Sequence, residues 1–217
     1  MDRRAFAIAC ASAFAGVSLL IASGPARPAE SGGFTVRVVD EKGKPLAGVV
    51  VTLTPAGATP PRARIAGPYQ VSQKDMAFHP FISVVPVGAT VAFPNLDPFR
   101  HHVYSFSEAK PFELKLFGRG QSRSVTFDKP GIVAVGCNIH DSMSAYIVVA
   151  ETALTAPTGG SGAVRFENVP AGSARVEIWH PYLRAPGNTL SRTVAMRPGG
   201  SESITARLRA APMTHRY

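Results

Sequence analysis

Much of this chain reads as runs of six to eight residues rich in Val, Ile, Phe and Thr, each ended by Gly, Pro, Asn or Asp. Runs that short and that often interrupted suit strands and exclude long helices, so the pattern dictates an all-β protein. Gly (20 residues) and Pro (19) supply the interruptions. With 217 residues, 45% of them hydrophobic and 17% charged, the chain can bury one good-sized core or two small ones and is not globally disordered.

The first residues follow a different grammar. Asp2-Arg3-Arg4 precedes an apolar stretch from Ala5 to Ala22, and small residues and prolines follow up to Ala29. This reads as a signal peptide over 1–29 that directs the protein to the periplasm. Arg3-Arg4-Ala5-Phe6 is similar to the twin-arginine pattern of substrates exported folded; the Sec route stays open beside it. An uncleaved anchor is the competing reading, but the stretch is near the lower limit for spanning and is diluted by Ala, Ser and Gly. No stable membrane insertion is expected once the signal is removed.

Export changes the meaning of the two cysteines. Cys10 leaves with the signal, so Cys137 becomes the one thiol of the mature chain. A lone thiol in an oxidising compartment is a liability or a ligand. The formal charge is +9, and cleavage after Ala29 leaves 20 Lys and Arg against 13 Asp and Glu, or +7. Arg100, Lys110, Lys115, Arg119, Arg123 and Lys129 are scattered rather than run together. That reads as steering toward an acidic partner, or as a solvated basic surface without a specific role, and not as a nucleic-acid surface.

Chemistry concentrates in Cys137-Asn138-Ile139-His140-Asp141-Ser142-Met143. A soft thiolate, a borderline imidazole and a soft thioether within seven residues suit copper better than calcium, magnesium or iron. By period two, Val133, Val135 and Cys137 share one face of the strand before the loop, and Met143, Ala145, Ile147 and Val149 share one face of the strand after it. Both sulfurs are therefore aimed at the end of a core. A blue-copper centre needs a second imidazole, and Asn95-Leu96-Asp97-Pro98-Phe99-Arg100-His101-His102 offers two candidates after the strand Thr90–Phe93.

These segments resemble the cupredoxins, the plastocyanin and amicyanin group, over roughly residues 70 to 150. The resemblance implies a Greek-key β-sandwich holding one type 1 copper on His101, Cys137, His140 and Met143, with the short loop spacing of amicyanin. His102 stands where the family usually has Asn; its imidazole either bonds the backbone near Asn138 or competes as a ligand, and strand parity favours His101. Zinc is an adventitious alternative for the same donors. His79 and His180 each precede a proline and read as strand-end packing or surface; His215 sits in the tail. Met76, Met196 and Met213 do not cluster in sequence, and Trp179 alternates with Ile178 and Val176 as a sandwich residue.

The flanks carry a second pattern. Phe34–Asp40 and Gly48–Thr54 alternate around a Gly43-Lys44-Pro45-Leu46 turn; Gly162–Gly172 leads into Ala174–Trp179, and Ile204, Ala206 and Leu208 mark a last strand. Together they resemble the transthyretin-like, carboxypeptidase regulatory-like β-sandwich. The resemblance implies one small sandwich split into 34–56 and 160–209 by a cupredoxin over 68–151, with linkers near Pro55 to Pro68 and Glu151 to Gly162.

The functional expectation is a non-enzymatic carrier of single electrons. Its partner would be a c-type cytochrome or a periplasmic oxidoreductase, acidic where it docks. Copper delivery or buffering, and a protein-binding or glycan-binding module, are the alternatives. No paired His-X-His motifs and no Ser, His, Asp arrangement argue for catalysis.

Overall fold

In the computed structural model, which describes residues 31–140 and 142–210, the short apolar runs become strands throughout. The segment read as a signal peptide, with Cys10, and Asp141, Met213 and His215 lie outside the described residues. In chain order the strands are β1 (Ser31–Val39), β2 (Val50–Pro55), β3 (Tyr69–Gln70), β4 (Ser72–Lys74), β5 (Ala77–His79), β6 (Ile82–Pro86), β7 (Ala89–Pro94) and β8 (His101–Ser105). They continue as β9 (Phe112–Phe117), β10 (Ser122–Phe127), β11 (Gly131–Cys137), β12 (Ser144–Ala150) and β13 (Thr155–Pro157). The last four are β14 (Ala163–Pro170), β15 (Gly172–Trp179), β16 (Thr189–Met196) and β17 (Ser201–Thr205). Among the described residues no helix is long and apolar enough to cross a membrane.

Period-two burial sorts these strands into two sandwiches. The five-stranded sheet β6-β12-β11-β8-β9 and the three-stranded sheet β10-β7-β3 enclose Phe93, Phe117, Phe127, Val133, Val135 and Ile147. The sheets β14-β1-β17 and β13-β2-β15-β16 enclose Phe34, Val36, Leu53, Val176, Ile178 and Ile204. The two cores share no residue. Buried members of the first fall between Val71 and Val149; those of the second fall between Phe34 and Leu53 and again between Leu154 and Ala206. One sandwich, the inner, is thus continuous in the chain, and the other, the outer, is assembled from both flanks. Where the chain passes between them its two strands run side by side: the Ala63 N–H donates to the Glu151 carbonyl (2.9 Å) and the Ala153 N–H to the Pro61 carbonyl (2.8 Å).

Two elements differ from the sequence reading. Thr155–Pro157, placed there in a linker, pairs with β2 as β13, and Leu154 beside it is buried in the outer core. Three residues are too few for alternation to register. β16 was not singled out because Ser191, Arg192 and Thr193 are exposed and only Val194 and Met196 are buried, with Leu190 half-buried against the same core. Gly162 closes the turn before β14 with φ +69°, and a Cβ there would lie 2.6 Å from the Val38 carbonyl oxygen, so the position demands glycine.

The sandwiches meet through aromatic rings. Tyr146 of β12 stands edge-on to Trp179 of β15 at 5.6 Å between centroids, and Phe81 stacks on Tyr182 at 5.8 Å. His180 lies against Tyr182 and is buried; its Nδ1 accepts the Tyr182 N–H at 3.2 Å. Burial lowers its pKa from 6.5 to about 4, since the charged ring would lose its hydration. The unfolded chain therefore binds this proton at a higher pH than the folded protein does. Stability from this source is intact above pH 6.5 and falls as pH drops toward 4, by up to about 3 kcal/mol. In urea melts run across that range, His180→Gln is expected to flatten the acid limb; an unaltered limb would assign the loss to other groups.

Candidate metal centre

Strand parity builds the centre. In β11 the inward side chains are Val133, Val135 and Cys137, and in β8 they are His101, Val103 and Ser105. β11 and β8 pair through Gly136 with Tyr104 and Cys137 with Val103, which brings His101 and Cys137 to the same end of the core. The loop after Cys137 then folds back. The Asn138 N–H donates to the His102 carbonyl (3.1 Å), the Met143 N–H to the His140 carbonyl (2.9 Å) and the Cys137 N–H to the Met143 carbonyl (3.3 Å). These bonds turn His140 over the thiol.

The result is a tight group of three donors. Cys137 Sγ lies 3.6 Å from His101 Nδ1 and 4.0 Å from His140 Nδ1. All three donor atoms fall within 4.8 Å of one another. Donors that share one ion at about 2.0–2.3 Å in a near-trigonal plane stand about 3.5–4 Å apart, so the spacing fits a single metal ion. His101 is fully buried, Cys137 and Met143 are nearly so, and His140 is half-buried. Met143 belongs to the same apolar cluster as Cys137. Among the described residues no other group of three or more His, Cys, Asp or Glu is placed to hold an ion.

His102 takes the opposite face. Its Nε2 lies 2.9 Å from Glu113 Oε1, close enough for an ion pair though not aligned as a hydrogen bond. Its ring does not bond the backbone near Asn138; its main-chain carbonyl does. Of the remaining candidates, His79 Nε2 donates to the Lys74 carbonyl (3.2 Å), and Met196 and Trp179 are core residues of the outer sandwich and its junction. Met76, distant in sequence, lines a cavity of about 230 Å³ together with His79, Phe81 and Met143.

Sequence reasoning treated Asn95 and Asp97 only as turn residues. In the fold they are the frame of the first histidine. Asn95 is fully buried; its Nδ2 donates to the Phe99 (2.7 Å) and Phe117 (3.0 Å) carbonyls, and its Oδ1 accepts the Asp97 N–H (2.9 Å). Asp97 is 4% exposed. Its Oδ1 accepts the Asp75 N–H (2.6 Å), and its Oδ2 accepts the Met76 N–H (3.1 Å) and lies 2.8 Å from His101 Nε2. Burial pushes the Asp97 carboxyl up, but the Met76 N–H, the His101 ring and the Asp75 N–H outweigh it and hold the group below its ordinary pKa.

Beside His140 stand two apolar side chains: Phe99 and Ile139 are each about half exposed, and the Phe99 ring lies 6.4 Å from the His140 ring.

No family model matches the chain, and no curated protein is significantly similar to it. Similar solved structures include a purple cupredoxin from Nitrosopumilus maritimus, 20% identical at a TM-score of 0.35, over 38% of this chain and 99% of that one. A mutant of amicyanin in its Cu(I) form is 22% identical at a TM-score of 0.36, over 45% of this chain and 98% of that one. A copper-containing nitrite reductase from Thermus scotoductus SA-01 is 29% identical at a TM-score of 0.38, over 54% of this chain; the match spans 28% of the reductase. What the chain itself presents is one cysteine and two histidines converging at the end of an all-β sandwich, with a buried methionine in the same cluster.

Proposed function

We propose that this is a periplasmic type 1 copper protein that carries single electrons, whose ion would be held by His101, Cys137, His140 and Met143. The observation that carries the reading is the Cys137 thiol set 3.6 and 4.0 Å from two imidazole Nδ1 atoms in a buried sandwich end. Copper bound there would cycle between its two oxidation states. The protein's part is to hold a donor geometry tolerable to both, so that little reorganises on electron transfer. Rigid strands supply His101 and Cys137, and the three backbone bonds of the loop fix His140 and Met143.

The half-buried edge of His140, flanked by Phe99 and Ile139, suits brief docking of a redox partner. The basic surface suits an acidic one, a c-type cytochrome or a periplasmic oxidoreductase. The flanking sandwich is read as a carboxypeptidase regulatory-like module interrupted by the cupredoxin.

Copper delivery is the second reading, favoured by one observation: exposed Met76 and His79 share a cavity with Met143, giving a soft thioether and a borderline imidazole beside the site. The protein after signal removal, titrated with one equivalent of Cu(II), is expected to show an intense visible thiolate band that a one-electron reductant bleaches. A colourless complex would overturn the carrier reading. Rapid loss of copper to a competing chelator would favour delivery.

A further inference from the structure

We infer that Asp97 is the positioning residue that makes His101 a ligand, by fixing which ring nitrogen carries the proton, and that its buried carboxylate biases the site toward the more highly charged metal ion. The inference rests on the metal-site reading above.

Three donors converge on this carboxylate from two directions. The Asp75 and Met76 N–H groups come from the β4–β5 turn, where both residues have positive φ (55° and 57°), and the His101 ring comes from β8. A carboxylate is an acceptor at both oxygens and can take all three; an amide in its place would turn an NH₂ toward at least one donor. Because the two backbone partners can only donate, the carboxylate is held as acceptor, and the 2.8 Å contact requires His101 Nε2 to carry hydrogen. That leaves the Nδ1 lone pair free, and Nδ1 is the atom 3.6 Å from Cys137 Sγ. The proton assignment and the ring orientation needed by a ligand thus follow from the protein's own hydrogen bonds.

The charge adds a second effect. Asp97 lies on the far side of the imidazole from the thiol, so it is an outer partner of the ligand and not itself a ligand. A buried negative charge across one ring from an ion favours the oxidised state over the reduced one, because Coulomb interaction scales with the ion's charge and is little screened here.

Two measurements test this separately from copper binding itself. In the metal-free wild-type protein at neutral pH, long-range ¹H–¹⁵N correlations are expected to show His101 as the Nε2–H tautomer. Finding Nδ1–H would overturn the inference, whether or not copper binds. In the copper-loaded protein, Asp97→Asn is expected to lower the ratio of Cu(II) to Cu(I) affinity at least about tenfold, a rise in reduction potential of about 59 mV, with Asp97→Glu restoring part of it. A folded Asp97→Asn variant that melts earlier but keeps its potential would reduce Asp97 to a structural tie for the β4–β5 turn. If that variant does not fold, the wild-type tautomer decides. If the wild type binds no copper, the proposed function fails, and the tautomer still tests the role given to Asp97.

Discussion

Replacing Cys137 with serine is expected to abolish the visible thiolate band and to weaken Cu(II) binding by more than the roughly 10–100-fold that loss of an outer-shell partner costs. The argument is one of donor chemistry. The Cys137 sulfur lies 3.6 and 4.0 Å from the two imidazole Nδ1 atoms, so its loss removes the softest of the three donors. A serine hydroxyl has nearly the same shape but stays protonated and is a hard donor. The fold is expected to survive: the hydroxyl oxygen, on a bond shorter than the C–S bond, falls short of His101 Nδ1, which lies 3.6 Å from the sulfur, and a buried hydroxyl left without a partner costs about 1–3 kcal/mol. Absorption titrations and thermal melts of the metal-free variant check the two parts. Copper bound equally well without the thiol would sink the assignment of Cys137.

The second large effect separates the sandwiches. Phe127 is fully buried in the inner core, edge-on to Phe112, and its replacement by alanine is expected to cost about 3–5 kcal/mol. Ile178 is fully buried in the outer core, and Ile178→Ala is expected to cost about 2–5 kcal/mol there. The chain's single tryptophan, Trp179, lies in β15 of the outer sandwich, whereas bound copper would report the inner one. Followed in urea, Ile178→Ala is expected to move the tryptophan transition and leave the copper band in place, and Phe127→Ala to move the copper band further than the tryptophan transition. Equal displacement of both probes by either variant would make the aromatic contact between Tyr146 and Trp179 strong enough to couple the two units into one.

Much of this was legible in the sequence because period two is a strong signal in strands with one buried face. It aimed Val133, Val135 and Cys137 inward and turned His101 and not His102 toward the core, as the burial of both strands shows. What escaped was whatever depends on segments remote in sequence. Asp97 reads as a turn residue until the fold delivers the N–H groups of Asp75 and Met76, more than twenty residues earlier. The pairing of His102 with Glu113 required β9 to lie beside β8, and nothing near either residue announces it. Met76 and His79 seemed unconnected to the ligand loop, yet the β4–β5 hairpin puts them in one cavity with Met143. β13 was missed for a simpler reason: a three-residue strand is shorter than its own periodicity.

The side-by-side passage of the chain between sandwiches bears on the order of assembly. β1 is completed by β17, its parallel neighbour more than 160 residues later, so the outer sandwich cannot close until Thr205 has been made. The inner one is contiguous and has no such wait. Once folded, it draws residues 63 and 151 together, and the loop the outer sandwich must close shrinks from nearly a hundred residues to about ten, saving about 2 kcal/mol of chain entropy. Any ion that binds the folded inner unit then favours joining of the flanks as well, by mass action alone.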